Sequence, residues 1–271
     1  MAIKEFFEIP KRYRTWSLAL MGIGVLSVII GFFLYGNSEH PQRFWAALLQ
    51  NSVYFLLVVN ASMFFMCATT LAWGSWQLTF GRVTQAISTA VIPIGIITAI
   101  ILICLVTVDP HIYHWLHPDG DKILEGKAGF LNKGFFIVWT ALTLIGWIVL
   151  GAKMRKLNSE LDNNPPASNE SAKKWLFKNT VWAAVFIVWF ALTVMSTVPW
   201  LWLMSIDAHW YSTMYSWYTF ASTFVAGIAV IALFVVYLKN QNYLEYTNEE
   251  HLHDLGKFMF AFSIFWTYIW F

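Results

Sequence analysis

Between Lys178 and Lys239 the chain carries one charged side chain, Asp207, and only 12% of its 271 residues are Asp, Glu, Lys or Arg. Soluble domains carry about 25% charge, so a globule surrounded by water is excluded. Cysteine is nearly absent. Cys67 and Cys104 sit in separate apolar runs, with no CxxC and no CxxCH, which excludes a disulfide framework, a thiolate metal set and covalent haem attachment. Histidine is missing from the middle of every apolar run; all seven, at 40, 111, 114, 117, 209, 251 and 253, fall in loops or at helix ends. Haem ligated inside the membrane is therefore not expected. Mid-run Asp, Glu, Lys and Arg are missing too, where each would cost about 2.5–3.5 kcal/mol. That argues against a carboxylate-driven ion pump and leaves open a proton path lined by Ser, Thr, Tyr and Asn. A net charge of +2 without a basic helix gives no surface for nucleic acid. No small-residue cleavage site follows the charged start, MAIKEFFEIPKRYR, so a retained anchor is expected.

What the sequence does have is hydrophobic length: 58% of residues are apolar, in runs that match the roughly 20 residues needed to cross about 30 Å of hydrocarbon. The runs are Trp16 to Tyr35, Phe44 to Trp76, Val83 to Val108, Phe135 to Ala152, Asn179 to Leu203 and Tyr211 to Leu238. A seventh begins near Phe258. Pro93 is expected to break the third, and Gly22, Gly24 and Gly31 to admit a neighbour close to the first. The fold class is all-α: polytopic transmembrane helices in two four-helix bundles, the second incomplete. Residues 1–157 form the first unit, 158–174 a linker marked by Pro165 and Pro166, and 175–271 the second. The last run, FMFAFSIFWTYIWF, has 14 residues, too few to span, so the chain is expected to continue past Phe271.

Of the 17 Lys and Arg residues, Arg43, Lys122, Lys127 and Lys133 fall on one side of these runs and the other thirteen, from Lys4 to Lys257, on the N-terminal side. The positive-inside rule then puts the N-terminus in the cytoplasm. Two stretches share the opposite face. One is DPHIYHWLHPDGDK, with Asp109, His111, His114 and His117; the other is the turn holding Asp207, His209 and Tyr211 among six further Trp and Tyr residues. By residue type the three histidines and Asp109 suit a metal, but their i, i+3, i+6 spacing is not HxxxH, and Pro110 and Pro118 imply irregular backbone, so no metal is expected. A partner-contacting loop and a titrating group on a proton or quinol route remain. Asp207 equally suits an N-cap of the sixth helix. On the inner face His251, His253 and Asp254 read either as a capped acidic helix start or as the inner mouth of a proton path. Hydroxyls and amides inside the runs, among them Gln50, Asn60, Thr193, Thr197, Thr219, Ser222 and Thr223, are expected mainly to bond to their own or a neighbouring helix, a subset serving protons or quinone.

The segment MSIDAHWYSTMYSWYTFASTFVAGIAVIALFVVYLKNQNYLEY, followed by HLHDLGKFMFAFSIFWTYIWF, resembles the F subunit of bacterial alternative complex III, a quinol:cytochrome c oxidoreductase. That subunit is similar in fold to the polysulfide reductase/NrfD-like membrane family. The likeness is most specific over about 200–271. GFLNKGFFIVW and the loop before it fit as well, while the first loop, GNSEHPQR, is shorter than in many relatives. The resemblance implies a multi-pass subunit of the bacterial inner membrane that helps handle quinone (menaquinone included) and protons and helps assemble the complex. It implies no catalytic residue and no redox cofactor in this chain. Haem c and iron–sulfur clusters would sit in partners: a multihaem cytochrome c, an iron–sulfur subunit and a paralogous membrane subunit, with a terminal oxidase as a further candidate. A transporter or channel acting alone, and a pure scaffold, are the competing classes.

Overall fold

The structure is a computed structural model describing residues 7–36, 38 and 40–271; Lys4, Asn37 and Glu39 lie outside the described residues. All regular structure among the described residues is helical. The elements are α1 (Lys11–Gly31, widening to a π turn at Phe32–Gly36), α2 (Gln42–Leu71), α3 (Gly81–Ser88), α4 (Val91–Thr107), α5 (Lys122–Lys127) and α6 (Lys133–Asn163). They continue with α7 (Asn169–Leu192), α8 (Thr213–Asn240) and α9 (Glu249–Trp270). Six helical stretches are long and apolar enough to cross a membrane, beginning at Lys11, Gln42, Gly81, Lys133, Asn169 and Thr213. This is a multi-pass, all-α membrane protein.

Local chemistry explains the boundaries. Asn132 caps α6 by accepting from Phe135 N at 2.8 Å, and Ser168 with Ser171 forms a capping box at α7. Pro93 lacks an N–H and its ring displaces the Thr89 carbonyl from the helical path. The chain responds with short-range bonds, Ala90 N to Ile87 O at 3.0 Å and Ile92 N to Thr89 O at 3.2 Å, which separate α3 from α4. The break expected at Pro93 is present.

A second interruption was not expected. After Leu192 the helix widens into eleven π-helical residues, Thr193–Leu203, around Pro199, and then tightens into a 3₁₀ turn, Met204–Asp207. Long π segments are rare, and the missing N–H of Pro199 gives this one a cause. Two boundaries also move. Helix α9 starts at Glu249 rather than near Phe258, because its first turns are charged and hydropathy passes over them. Helix α6 runs on to Asn163, its polar end held by Arg82 Nη2 donating to Asn158 O at 3.0 Å and Trp175 Nε1 to Leu157 O at 3.0 Å. The non-helical part of the linker is therefore only residues 164–168.

Helix α2 is the hub. Its neighbours are α3, α4, α7 and α8, and α2, α4, α6 and α7 close into a ring around one apolar core that includes Leu49, Leu56, Trp147, Phe186 and Trp202. A second core, with Phe65, Phe80, Phe224, Ile228 and Leu255, lies between α2, α3, α8 and α9. At the α2–α8 crossing a Cβ on Gly227 would sit 2.7 Å from Ala61 Cβ and 3.0 Å from Val58 O, so only glycine permits that approach. Helix α1 has no buried residue; it touches the bundle near its ends, through Tyr13 with Tyr237 and Phe32 with Trp45. Its Gly22 and Gly24 face nothing within 4 Å, so they mark no crossing within this chain.

Candidate functional site

The connection between α4 and α6 folds down as a cap. Ile112, Tyr113, Trp115, Leu124 and Leu131 are buried in the main core while His111, His114 and His117 stay exposed. Tyr113 donates its hydroxyl to Trp202 O at 2.8 Å, and burial pushes its phenol above the usual tyrosine range, so it stays protonated. Apolar side chains thus anchor the cap from below while its three histidines stay at the surface.

The turn after the π segment meets this cap. His209 Nε2 lies 2.8 Å from Asp121 Oδ2, and Lys127 donates to Ala208 O. Asp121 also caps α5, its Oδ1 accepting from Ile123 N at 2.8 Å. That N–H bond, helped by Leu124 N–H and by His209, holds the Asp121 carboxyl below the usual range. Asp207 Oδ1 accepts from His209 N at 3.2 Å, so Asp207 closes its own turn; the N-cap position of α8 belongs to Ser212. The two stretches expected to share one face do share it.

Within the cap, Asp109 Oδ2 pairs with His117 Nε2, and the His111 and His117 rings lie 5.9 Å apart. His114 is exposed and stands outside this group. Tyr211 is 80% exposed and borders, with Trp200, Trp210 and Lys127, a shallow groove of about 490 Å³ beside α5.

A larger cleft, about 660 Å³, lies between α2, α8 and α9. Its walls carry Gln50 and Tyr54 from α2, Tyr215, Tyr218, Thr219, Ser222 and Thr223 from α8, and Ser263, Trp266 and Thr267 from α9. Thr219, Ser222 and Thr223 donate within α8, to Tyr215 O at 2.8 Å and to Thr219 O at 3.1 and 2.8 Å, which leaves their lone pairs as acceptors. The indole N–H of Trp266 is buried with no hydrogen-bond partner among the described residues. Tyr218 packs on Trp266 and Trp270 at 5.7 and 5.8 Å between centroids. The cleft thus offers an aromatic wall, the Gln50 amide as a donor and several acceptors, the composition of a site for a small amphipathic ring.

Many other hydroxyls of the spans bond within their own helix, as expected, whereas Asn60 Nδ2, Thr143 Oγ1 and Ser216 Oγ are buried without a hydrogen-bond partner among the described residues. Three indole N–H groups donate to threonine hydroxyls between α6 and the π segment: Trp139 to Thr197 Oγ1 at 2.7 Å, Trp147 to Thr193 Oγ1 at 2.9 Å and Trp202 to Thr140 Oγ1 at 2.9 Å. They fasten α6 to the π segment. At the end of the bundle away from the histidine cap, His251 completes a capping box with Asn248, and Asp254 pairs with Lys257 at 2.9 Å. His253 is exposed. Of this trio, His251 caps the start of α9.

Sequence reasoning grouped Asp109 with all three histidines; the fold keeps His111 and His117 beside it and leaves His114 out. It missed Asp121 as the partner of His209, since Asp121 carried no signal beyond its N-cap position before Lys122. No family model matches the chain, and no curated protein matches it.

Proposed function

We propose that the chain is a membrane subunit of a quinol-oxidising respiratory complex, of the alternative complex III type, holding a quinone or quinol ring in the α2–α8–α9 cleft. The observation that carries this reading is the cleft's donor and acceptor set. A quinone carbonyl needs a donor, which the Gln50 amide supplies, and a quinol hydroxyl needs an acceptor, which Thr219, Ser222 and Thr223 supply. Tyr218 and Trp266 give the ring a stacking wall. The group supplies two-electron, two-proton chemistry when bound; this chain's residues bind and orient it. Cys67 and Cys104 are distant in sequence and no histidine lies at depth, so electrons would pass to haem and iron–sulfur groups of partner subunits. The sequence resemblance over 200–271 covers both α8 and α9, which build two walls of the cleft. The charge asymmetry favours an inner-membrane placement with a cytoplasmic N-terminus, leaving the Asp109 and Asp207 cap on the outer face as the route for released protons.

The test is purification of the tagged chain from its native membrane in mild detergent. Stoichiometric c-type haem absorbance with quinol:cytochrome c turnover supports the proposal; a colourless protein free of partners contradicts it. The two interrupted spans, at Thr89–Ala90 and Thr193–Leu203, favour a second reading, a transporter working alone. It predicts solute or ion flux from the purified chain in liposomes, which a complex subunit would not give.

A further inference from the structure

We infer that Asp109, His111 and His117 form a binding site for a divalent transition cation of the zinc class. One ligand atom from each lies within 4.8 Å of the others. The helical HxxxH pattern does not build this group. It forms because the chain reverses around Pro110, with Asp109 at φ 56° and His111 at φ 55°, both in the left-handed region that L-residues avoid. The reversal is held from below by Ile112, Tyr113 and Trp115 in the core and by the Tyr113 hydroxyl on Trp202 O. His111 and His117 therefore face Asp109 from a fixed frame.

A second, independent observation points to a ligand. Asp109 Oδ2 meets His117, but Oδ1 is buried and has no hydrogen-bond partner among the described residues. A buried carboxylate oxygen without a donor is costly, and a cation satisfies it. Two imidazoles and one carboxylate suit zinc and its first-row neighbours; magnesium and calcium take oxygen sets. His111 and His117 are exposed, so remaining coordination positions open to water. Such a cation would clamp the end of α4 to the far side of the cap. The inference stands apart from the quinone cleft, which shares no residue with it.

The experiment uses the full chain in nanodiscs, stripped with a chelator and titrated with zinc chloride against a competing fluorescent chelator. One saturable equivalent is expected. Asp109→Asn, His111→Ala and His117→Ala should each weaken it at least about tenfold, while His114→Ala leaves it unchanged. Cobalt in place of zinc should give a visible d–d band that His111→Ala removes. If Asp109→Asn loses helicity, His111→Ala decides, since its side chain is exposed. Absence of saturable zinc binding, or equal weakening by His114→Ala, would overturn the inference.

Discussion

His209 Nε2 and Asp121 Oδ2, from opposite halves of the sequence, are 2.8 Å apart and join the turn after the π segment to the first turn of α5. Asp121 serves two partners, His209 with one oxygen and Ile123 N–H with the other. Asparagine can keep the cap and not the charge. Asp121→Ala should therefore loosen α5 more than Asp121→Asn, and His209→Gln should add nothing to Asp121→Asn. Hydrogen exchange of the amides of 122–127 is the measurement.

The same carboxyl sets an acid limit. Its folded pKa is depressed, so its stabilising effect is complete above the ordinary carboxyl value of about 4 and is lost as pH falls through the lower, folded value. The protection factor of the α5 amides, taken relative to the unstructured rate at each pH, should stay flat from neutral pH down to about 4 and fall only below it. Protection already lost well above pH 4 would contradict this carboxyl as the controlling group.

The α2–α8 crossing is tested by contrast between glycines. Gly227→Ala forces its Cβ against Ala61 and the Val58 carbonyl and should cost about 1–3 kcal/mol. Gly22→Ala meets nothing and, by helix propensity, should be neutral or stabilising by up to about 1 kcal/mol. Thermal unfolding in detergent separates the two.

The tryptophan–threonine rungs give a third stability test. Thr193→Val strands the buried Trp147 N–H and should cost about 1–3 kcal/mol. Thr70→Val removes only a bond back to Met66 O and should stay within about 0.5 kcal/mol. Equal effects in SDS unfolding would show that the rung carries no special load.

These contrasts also show what the sequence could and could not disclose. Span positions, the Pro93 break and the meeting of the Asp207 turn with the histidine cap were legible, because hydrophobic length, a missing N–H and lysine placement are local signals. The π segment was not, since Pro199 near a helix end reads as an ordinary stop. Nor was the ring of α2, α4, α6 and α7, because which lipid-length helices pair depends on shape at positions such as Gly227. The group of Asp109 with His111 and His117 needed two residues at positive φ, which spacing does not announce. The cleft residues Gln50, Thr219, Ser222 and Thr223 were visible as mild polar positions; their convergence with Trp266 required the fold.

Quinone binding in the cleft is measured most directly by titrating a short-chain menaquinone analogue into the nanodisc-embedded protein and following tryptophan fluorescence. Ser222→Trp should fill the cleft and abolish saturable quenching, and Gln50→Leu, which removes the amide donor, should weaken binding by about 2- to 12-fold, the worth of one hydrogen bond. Saturable binding of unchanged affinity in Ser222→Trp would contradict a ring held between α2, α8 and α9.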